Sequence, residues 1–255
     1  MIISFIKVLI IGAIALLLVA CLTTTRSDQG VYSEKANTER ARAHSDLASA
    51  YLQQNKYEIA LNEFKIATQI DPNYSPAYNG LGLVYAALNQ DVKADENFKK
   101  SLQTQPDSSE AHNNYGSFLC ARKRYDESIE HFLAAVKNPL YATPNLAYAN
   151  AGICSLRNGD AKSAEFYLNK ALHLQPLTYS AAYQLAEIQF KRGDARTAKT
   201  TLQNVLVGAP SAEALWLGIR IERALGGRDN EASYALQLRQ QFPNSEQTSM
   251  LLSGQ

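Results

Sequence analysis

Six prolines recur along the chain at nearly constant intervals. They are Pro72, Pro106, Pro139, Pro176, Pro210 and Pro243, with the longest interval between Pro139 and Pro176. A period of roughly 34 residues is typical of repeat proteins, in which one supersecondary unit cannot bury its apolar face alone and neighbouring units stack. The spacing therefore predicts an array of similar units rather than one central core.

Within each period, large and small residues recur in a fixed order. The second unit shows this order most fully, as Tyr78, Leu81-Gly82, Tyr85, Ala94, Phe98 and Pro106. The pattern resembles tetratricopeptide (TPR) repeats, in which each unit is a pair of antiparallel helices. The resemblance implies an all-α fold, a right-handed TPR superhelix of about six helix-turn-helix repeats.

The register of the pattern assigns the repeat boundaries. The units are expected at 41–74, 75–108, 109–144, 145–178, 179–212 and 213–246, followed by a C-terminal tail at 247–255. Gly82, Gly116 and Gly152 are expected where the two helices of a unit approach most closely, because glycine has no side chain. Ala232 and Leu236 are expected to be the corresponding packed positions of the sixth unit.

The N-terminal segment indicates export. Val8 to Ala20 is an apolar run of 13 residues after Lys7, which suits a signal-peptide core and is shorter than the roughly 20 residues of a membrane span. Residues 1–20 are therefore read as a signal peptide, with an uncleaved anchor helix as the alternative. Leu18 to Cys21 resembles a bacterial lipobox, which implies acylation of Cys21. A polar tether is expected over 21–40, with an early start of the first helix within 31–40 as the alternative. Since Leu22 is not aspartate, the resemblance implies attachment to the periplasmic face of the outer membrane.

Charge and motifs narrow the function classes. Residues 21–255 carry 24 basic and 24 acidic side chains, so the chain lacks the basic surplus typical of nucleic-acid binding. Phosphate-binding loops, metalloprotease motifs and hydrolase nucleophile motifs are absent from the sequence. No catalytic residue, metal site or cofactor is therefore predicted, and binding of a protein partner is the favoured function.

Two further cysteines lie on the first helices of adjacent units, at Cys120 and Cys154. First helices of neighbouring TPR units pack side by side, so the two thiols can meet across one seam. The lipobox implies passage into the oxidising periplasm, where disulfides persist. We predict a Cys120–Cys154 disulfide, with two free buried thiols as the alternative.

The first helices of a TPR array line its concave groove, and alignment of the units gives the groove-facing positions. These are Leu52, Gln53, Asn79, Leu83, Ala86, Asn113, Ser117 and Ile153. Asn79 and Asn113 occupy equivalent positions, and an asparagine amide can both donate to and accept from a peptide backbone. Such a groove suits an extended segment or an amphipathic helix. The alternative is that these residues are only solvated surface.

The lipobox, the six units and the cysteine-bearing segments NNYGSFLCARKRYDES and YANAGICSLRNGD together resemble the PilF/PilW family of TPR lipoproteins of type IV pilus biogenesis. The resemblance implies a pilotin, which binds the pilus secretin and promotes its outer-membrane localisation and multimerisation. The implied partners are the secretin and, through acylated Cys21, outer-membrane lipid. The alternative is a TPR lipoprotein scaffold for cell-wall enzymes or for outer-membrane protein assembly.

Overall fold

The computed structural model describes residues 33–208 and 210–254, which contain α-helices and no β-strand. The helices are α1 (33–53), α2 (Tyr57–Ile70), α3 (Ser75–Ala87), α4 (Asp91–Thr104), α5 (Ser109–Ala121), α6 (Tyr125–Ala135), α7 (Pro144–Arg157), α8 (Ala161–Leu174), α9 (Tyr179–Lys191), α10 (Ala195–Gly208), α11 (Ala212–Leu225), α12 (Arg228–Gln241) and α13 (Glu246–Leu252). The predicted signal peptide and Cys21 lie outside the described residues. The predicted all-α TPR fold is confirmed.

The helices up to α12 alternate between the first and second helix of a repeat, called A and B helices below. The described chain forms two compact units divided after Pro106. The N-terminal unit contains α1 to α4, and the C-terminal unit contains α5 to α13. In each unit, an A helix packs against the B helix that follows it, as expected for helical hairpins.

A residue with left-handed backbone geometry makes the turn inside each repeat. These residues are Asn55, Asn89, Lys123, Gly159, Gly193 and Gly226, with φ between 55° and 92°. Glycine adopts this geometry without steric cost and asparagine tolerates it, whereas the same geometry strains a lysine. The turn between A and B helices thus keeps its shape from repeat to repeat although its residue type changes.

Close approach of the two helices depends on a glycine of the A helix facing a large residue of the B helix. A Cβ atom added at Gly82 would lie 2.7 Å from the ring of Phe98, and one at Gly116 would lie 2.9 Å from the ring of Phe132. Both phenylalanines are fully buried. The small positions predicted from the repeat pattern therefore lie at the tightest helix contacts.

The first repeat begins earlier than the tether assignment of 21–40 allows. Helix α1 already includes residue 33, so the last part of the predicted tether is helical. The hydroxyl of Thr38 donates a 2.7 Å hydrogen bond to Asp71 Oδ2 at the end of α2. This contact joins the N-terminal extension of α1 to the body of the first repeat.

The predicted packed positions of the sixth repeat, Ala232 and Leu236, are wrong because the repeat register of α12 is shifted by one residue. Ala232 is exposed and Leu236 is 49% exposed, whereas Leu238 is fully buried. The interval from Gly193 to Gly226 is one residue shorter than that from Gly159 to Gly193, so the packed positions of α12 lie one residue closer to the N-terminus than expected. Counted from the turn glycine, Leu238 then corresponds to the buried Val205 of the fifth unit.

The C-terminal residues, expected to be only a tail, form the short helix α13. The hydroxyl of Ser245 accepts a hydrogen bond from the Thr248 amide, which caps the start of the helix. The buried Thr248 hydroxyl donates a 2.7 Å bond to the carbonyl of Phe242, and Leu251 packs against the core that contains Leu238. Helix α13 therefore covers apolar surface that the last repeat would leave open.

Candidate protein-binding surface

In the N-terminal unit, the predicted groove positions lie on the two A helices. Leu52 and Gln53 are at the end of α1, where Leu52 is partly exposed and Gln53 is exposed. Asn79, Leu83 and Ala86 follow one face of α3, because residues three and four apart are neighbours on a helix. Leu83 and Ala86 are partly exposed and offer apolar contact area.

Asn79 does not fit its expected role. Its side chain was predicted to bind a peptide backbone, but the residue is only 8% exposed. Little of the Asn79 surface is therefore available to an incoming peptide. Leu83 and Ala86 therefore form the accessible part of the α3 face.

In the C-terminal unit, Asn113 of α5 lies beside α7. Its Oδ1 atom accepts a 3.0 Å hydrogen bond from Nδ2 of Asn150. Each asparagine amide has an acceptor oxygen and two donor hydrogens, so this bond leaves donor capacity on Asn113 and acceptor capacity on Asn150. The pair can therefore bond both the carbonyl and the N–H group of an extended peptide.

The two other predicted positions of this unit flank the amide pair. Ser117 is exposed, and its hydroxyl donates a 2.9 Å hydrogen bond to the carbonyl of Asn113 one turn earlier. Ile153 is partly buried against the core cluster that includes Ala149 and Leu185. The surface formed by Asn113, Ser117, Asn150 and Ile153, called the amide surface below, thus combines polar groups with an apolar edge.

Repeat alignment did not identify Asn150. The position equivalent to Asn113 in the fourth unit is Ala149, because Gly116 corresponds to Gly152. Asn150 comes one residue later, which turns its side chain back towards α5. The sequence does contain a signal for this residue, because Asn150 is a polar side chain between Ala149 and Ala151 in an otherwise apolar stretch of α7.

A disulfide joins the same two helices beyond the amide pair. Cys120 of α5 and Cys154 of α7 are bonded, and their Cα atoms are 5.8 Å apart, within the usual range for a disulfide. The bond is enclosed by Phe132 and Ala151. Two separate contacts, one covalent and one polar, therefore fix the separation of the helices that carry the amide surface.

A concave area between α7, α8 and α9 was not predicted. It has a volume of about 740 Å³, and its lining includes Leu156 of α7, Glu165 of α8, and Gln184, Glu187 and Ile188 of α9. Because Ala186 is equivalent to Gly152 in the repeat pattern, Glu187 takes the groove position that Ile153 holds in the fourth unit. The apolar edge of the amide surface is thus followed by a polar one.

The ionisable groups of this unit have structural causes for their pKa shifts. Hydrogen bonds from Ser163 lower the pKa of the Asp160 carboxyl at the start of α8, and hydrogen bonds from Thr197 do the same for Asp194 at the start of α10. Burial raises the pKa of the Tyr183 hydroxyl on α9. Helix capping and packing account for these shifts, and the amide surface acts through neutral groups.

The part of the chain that the structure describes contains neither a metal-binding cluster nor a membrane-spanning helix. Among residues 33–208 and 210–254, no three His, Cys, Asp or Glu side chains are grouped so that they could hold a metal ion. Within the same ranges, no helix has both the length and the apolar character needed to cross a membrane.

Comparison with known proteins identifies the repeats. A family model described as TPR repeat matches residues 48–89, and models described as tetratricopeptide repeat match residues 75–108, 97–130 and 180–211. These matches run from the end of α1 into α6 and also include α9 and α10 of the fifth repeat.

Three comparisons extend over most of the chain. The type IV pilus assembly protein PilF of Pseudomonas aeruginosa is 30% identical over 238 residues, 92% of this chain and 94% of that protein. A solved structure of Pseudomonas aeruginosa PilF is 29% identical with a TM-score of 0.78, over 86% of this chain and all of that chain. The structure of PilW, described as a widely conserved type IV pilus biogenesis factor, is 34% identical with a TM-score of 0.72, over 83% of this chain and 98% of that one.

Proposed function

Because this chain belongs to the PilF/PilW family of TPR proteins of type IV pilus biogenesis, we propose that it is a pilotin whose A-helix surface binds a segment of the pilus secretin. The amide surface is the observation that carries this proposal. After their mutual hydrogen bond, Asn113 keeps donor capacity and Asn150 keeps acceptor capacity, and an extended backbone bonds groups of both kinds. Ile153 supplies the adjoining apolar contact.

Rigidity supports the assignment. The Cys120–Cys154 disulfide and the Asn113–Asn150 hydrogen bond both connect α5 to α7. A surface that is held in place before binding loses less conformational freedom when the partner arrives, so more of the contact energy appears as affinity. In the N-terminal unit, Leu83 and Ala86 offer a separate apolar face.

The proposed mechanism also requires a membrane anchor. Acylation of Cys21 supplies it: each buried CH₂ of an acyl chain contributes about 0.8 kcal/mol, and stable anchoring takes more than one chain. The lipidated protein then carries the bound secretin to the periplasmic face of the outer membrane. There the secretin subunits assemble into their multimer.

The test is an immunoblot for heat- and detergent-resistant secretin multimers in cells with and without the gene. Loss of the multimer with accumulation of secretin monomer is the expected result. Complementation with Cys21→Ser should leave the secretin without its outer-membrane multimer. Complementation with Asn113→Ala/Asn150→Ala should give fewer multimers while the protein itself stays membrane-bound.

Two results would contradict the proposal. If multimers persist in the outer membrane without the gene, the pilotin role is wrong, and a scaffold for cell-wall enzymes or for outer-membrane protein assembly becomes the account to test. If the gene is required but the asparagine variants complement fully, the secretin binds elsewhere on the chain.

A further inference from the structure

Helix α8 carries a row of exposed side chains at every fourth position. Lys162, Phe166, Lys170 and Leu174 lie along one face of the helix, and Tyr148 of α7 adjoins them. Together they line an open groove of about 770 Å³. Phe166 is 53% exposed and Leu174 is 50% exposed, so this B-helix face presents apolar surface that the repeat fold leaves uncovered.

Aromatic rings form the floor of this groove, called the α8 groove below. The Lys170 ammonium lies 5.0 Å from the centre of the Phe166 ring and 5.4 Å from that of Tyr148. Tyr167 supports both rings, stacking at 6.5 Å on Tyr148 and meeting Phe166 edge-on at 5.3 Å. The rings and the ammonium group are therefore held in position by contacts inside the protein.

The groove has a surplus of positive charge. Glu165 is the one carboxylate among its described lining residues, and Arg192 neutralises it through a 2.9 Å ion pair. Lys162 and Lys170 form no ion pair with a carboxylate of the described residues, although Lys162 interacts electrostatically with Asp160 two residues earlier. Since the chain as a whole is nearly neutral, two ammonium groups without a close carboxylate beside exposed aromatic surface make the groove locally basic.

We propose that the α8 groove is a docking site for an acidic amphipathic segment of a partner protein. Carboxylates of that segment pair with Lys162 and Lys170, and one aromatic or aliphatic side chain inserts between Tyr148 and Leu174 against Phe166. The distance from Lys162 to Leu174 along α8 equals that spanned by a helical peptide of about 12 residues. An amphipathic helix with anchors at helical spacing is the known way to fill such a groove.

The groove favours a peptide over a membrane surface because its volume of about 770 Å³ accommodates an inserted side chain, which the proposed segment supplies. The site contains none of the residues of the amide surface. Its test is therefore independent of whether the secretin binds at Asn113 and Asn150.

The test uses the full chain and a displayed library of random peptides of about 12 residues, the length that matches the groove. Peptides are selected on the wild type and counter-selected on Lys170→Glu. The recovered peptides are synthesised, and their affinities are measured by fluorescence anisotropy at low and high salt. Controls are Leu236→Ala, which truncates a side chain of similar exposure on α12, and Arg239→Glu, which reverses an exposed charge there.

We expect the recovered peptides to be rich in Asp and Glu, with Leu or Phe three to four positions apart. Phe166→Ala and Lys162→Glu, neither of which is used in the selection, should each raise the Kd about tenfold. The controls should leave it unchanged, and salt should weaken binding because exposed charges are screened. Neutral or basic recovered peptides, no recovered peptide, or an unchanged Kd in Phe166→Ala would overturn the proposal. So would binding of phosphatidylglycerol vesicles that depends on Phe166 without recovery of acidic peptides, which would assign the groove to the membrane.

Discussion

Asn113 and Asn150, which are 37 residues apart in sequence, share a 3.0 Å side-chain hydrogen bond between adjacent A helices. A bond between two amides that are partly exposed is worth about 1 kcal/mol to folding. We expect Asn113→Ala and Asn150→Ala each to lower the free energy of unfolding by about that amount. The double variant should lose less than the sum, because either substitution alone removes the bond. Urea unfolding of the four proteins measures this coupling, and strictly additive losses would show that the two amides do not interact.

The disulfide closes a loop of 34 residues between Cys120 and Cys154. In the chain-entropy model, cross-linking a loop of this length stabilises the folded protein by about 3–4 kcal/mol. We expect Cys120→Ala/Cys154→Ala to lower the midpoint of urea unfolding accordingly, and a reductant to produce a similar shift in the wild type. The double-alanine variant is also the control for the reductant, which should not change its unfolding midpoint because the variant has no disulfide to reduce. Equal sensitivity of both proteins to reductant would mean that the bond does not account for the difference.

The fold could be predicted because the same pattern of large and small residues recurs in each repeat and produces the same helix packing. Gly82 and Gly116 recur at the position where the B-helix phenylalanine lies closest, so several weak signals reinforce one another. Where the period changed, prediction failed. One residue fewer before Gly226 shifts the packed face of α12, so that Leu236 is exposed and Leu238 is buried, and the pattern of earlier repeats could not show this shift.

The candidate sites were less predictable because exposure depends on neighbouring helices. Repeat alignment placed Asn79 and Asn113 at equivalent positions, yet Asn79 is buried and Asn113 is partly exposed. The repeat pattern does not predict the α8 groove, because Tyr148 and Phe166 line a common surface only after α7 and α8 have packed together. Spacing gives the face of a helix, while the packed structure decides what remains accessible on it.

The repeat turns allow a test of backbone strain without any change in packing. Gly159 has a φ of +82°, and a Cβ atom placed there meets nothing within 4 Å. Gly159→Ala should therefore lower the free energy of unfolding by about 1 kcal/mol through conformation alone. Lys123 has the same geometry with φ +62°, so Lys123→Gly should be neutral or stabilise by up to about 1 kcal/mol. Thermal unfolding of both variants checks this, and a stabilising Gly159→Ala would be inconsistent with the turn geometry.

Glu222 is a buried acid that pairs with Lys199 and also accepts a 3.3 Å hydrogen bond from the Asn230 amide. Its side chain is 2% exposed, and Oε1 lies 2.9 Å from the Lys199 ammonium. Lys199→Met would leave this carboxylate buried without its counter-charge, so we expect a loss of about 2–3 kcal/mol in the free energy of unfolding, below the range for fully buried pairs because Lys199 is partly exposed. The matched control is Lys191→Met, whose partner Glu187 is 26% exposed and whose loss should be below about 1 kcal/mol. Equal losses in the two variants would contradict a special role for the Glu222 pair.

The capping aspartates make one part of the stability dependent on pH. Asp160 accepts a 3.0 Å hydrogen bond from the Ser163 amide, and hydrogen bonding from Ser163 lowers the pKa of its carboxyl from the ordinary value of 3.8. Because the folded state has the lower pKa, the stabilisation is present above pH 3.8 and is lost as the pH falls through the pKa of the folded state. The stability difference between the wild type and Asp160→Ala should therefore be constant near neutral pH and shrink on acidification below about pH 4.

Asp160→Asn supplies the control, because asparagine caps a helix about as well as aspartate but does not titrate. Its stability advantage over Asp160→Ala should persist at low pH, where that of the wild type declines. Urea unfolding at a series of pH values, with an NMR titration of the Asp160 carboxyl, measures both effects. If the curves of wild type and Asp160→Ala stay parallel through the titration, the charged form of Asp160 does not stabilise α8. The hydrogen bond that the Ser163 amide donates to Asp160 would then stabilise the start of α8 equally whether the carboxyl is charged or protonated.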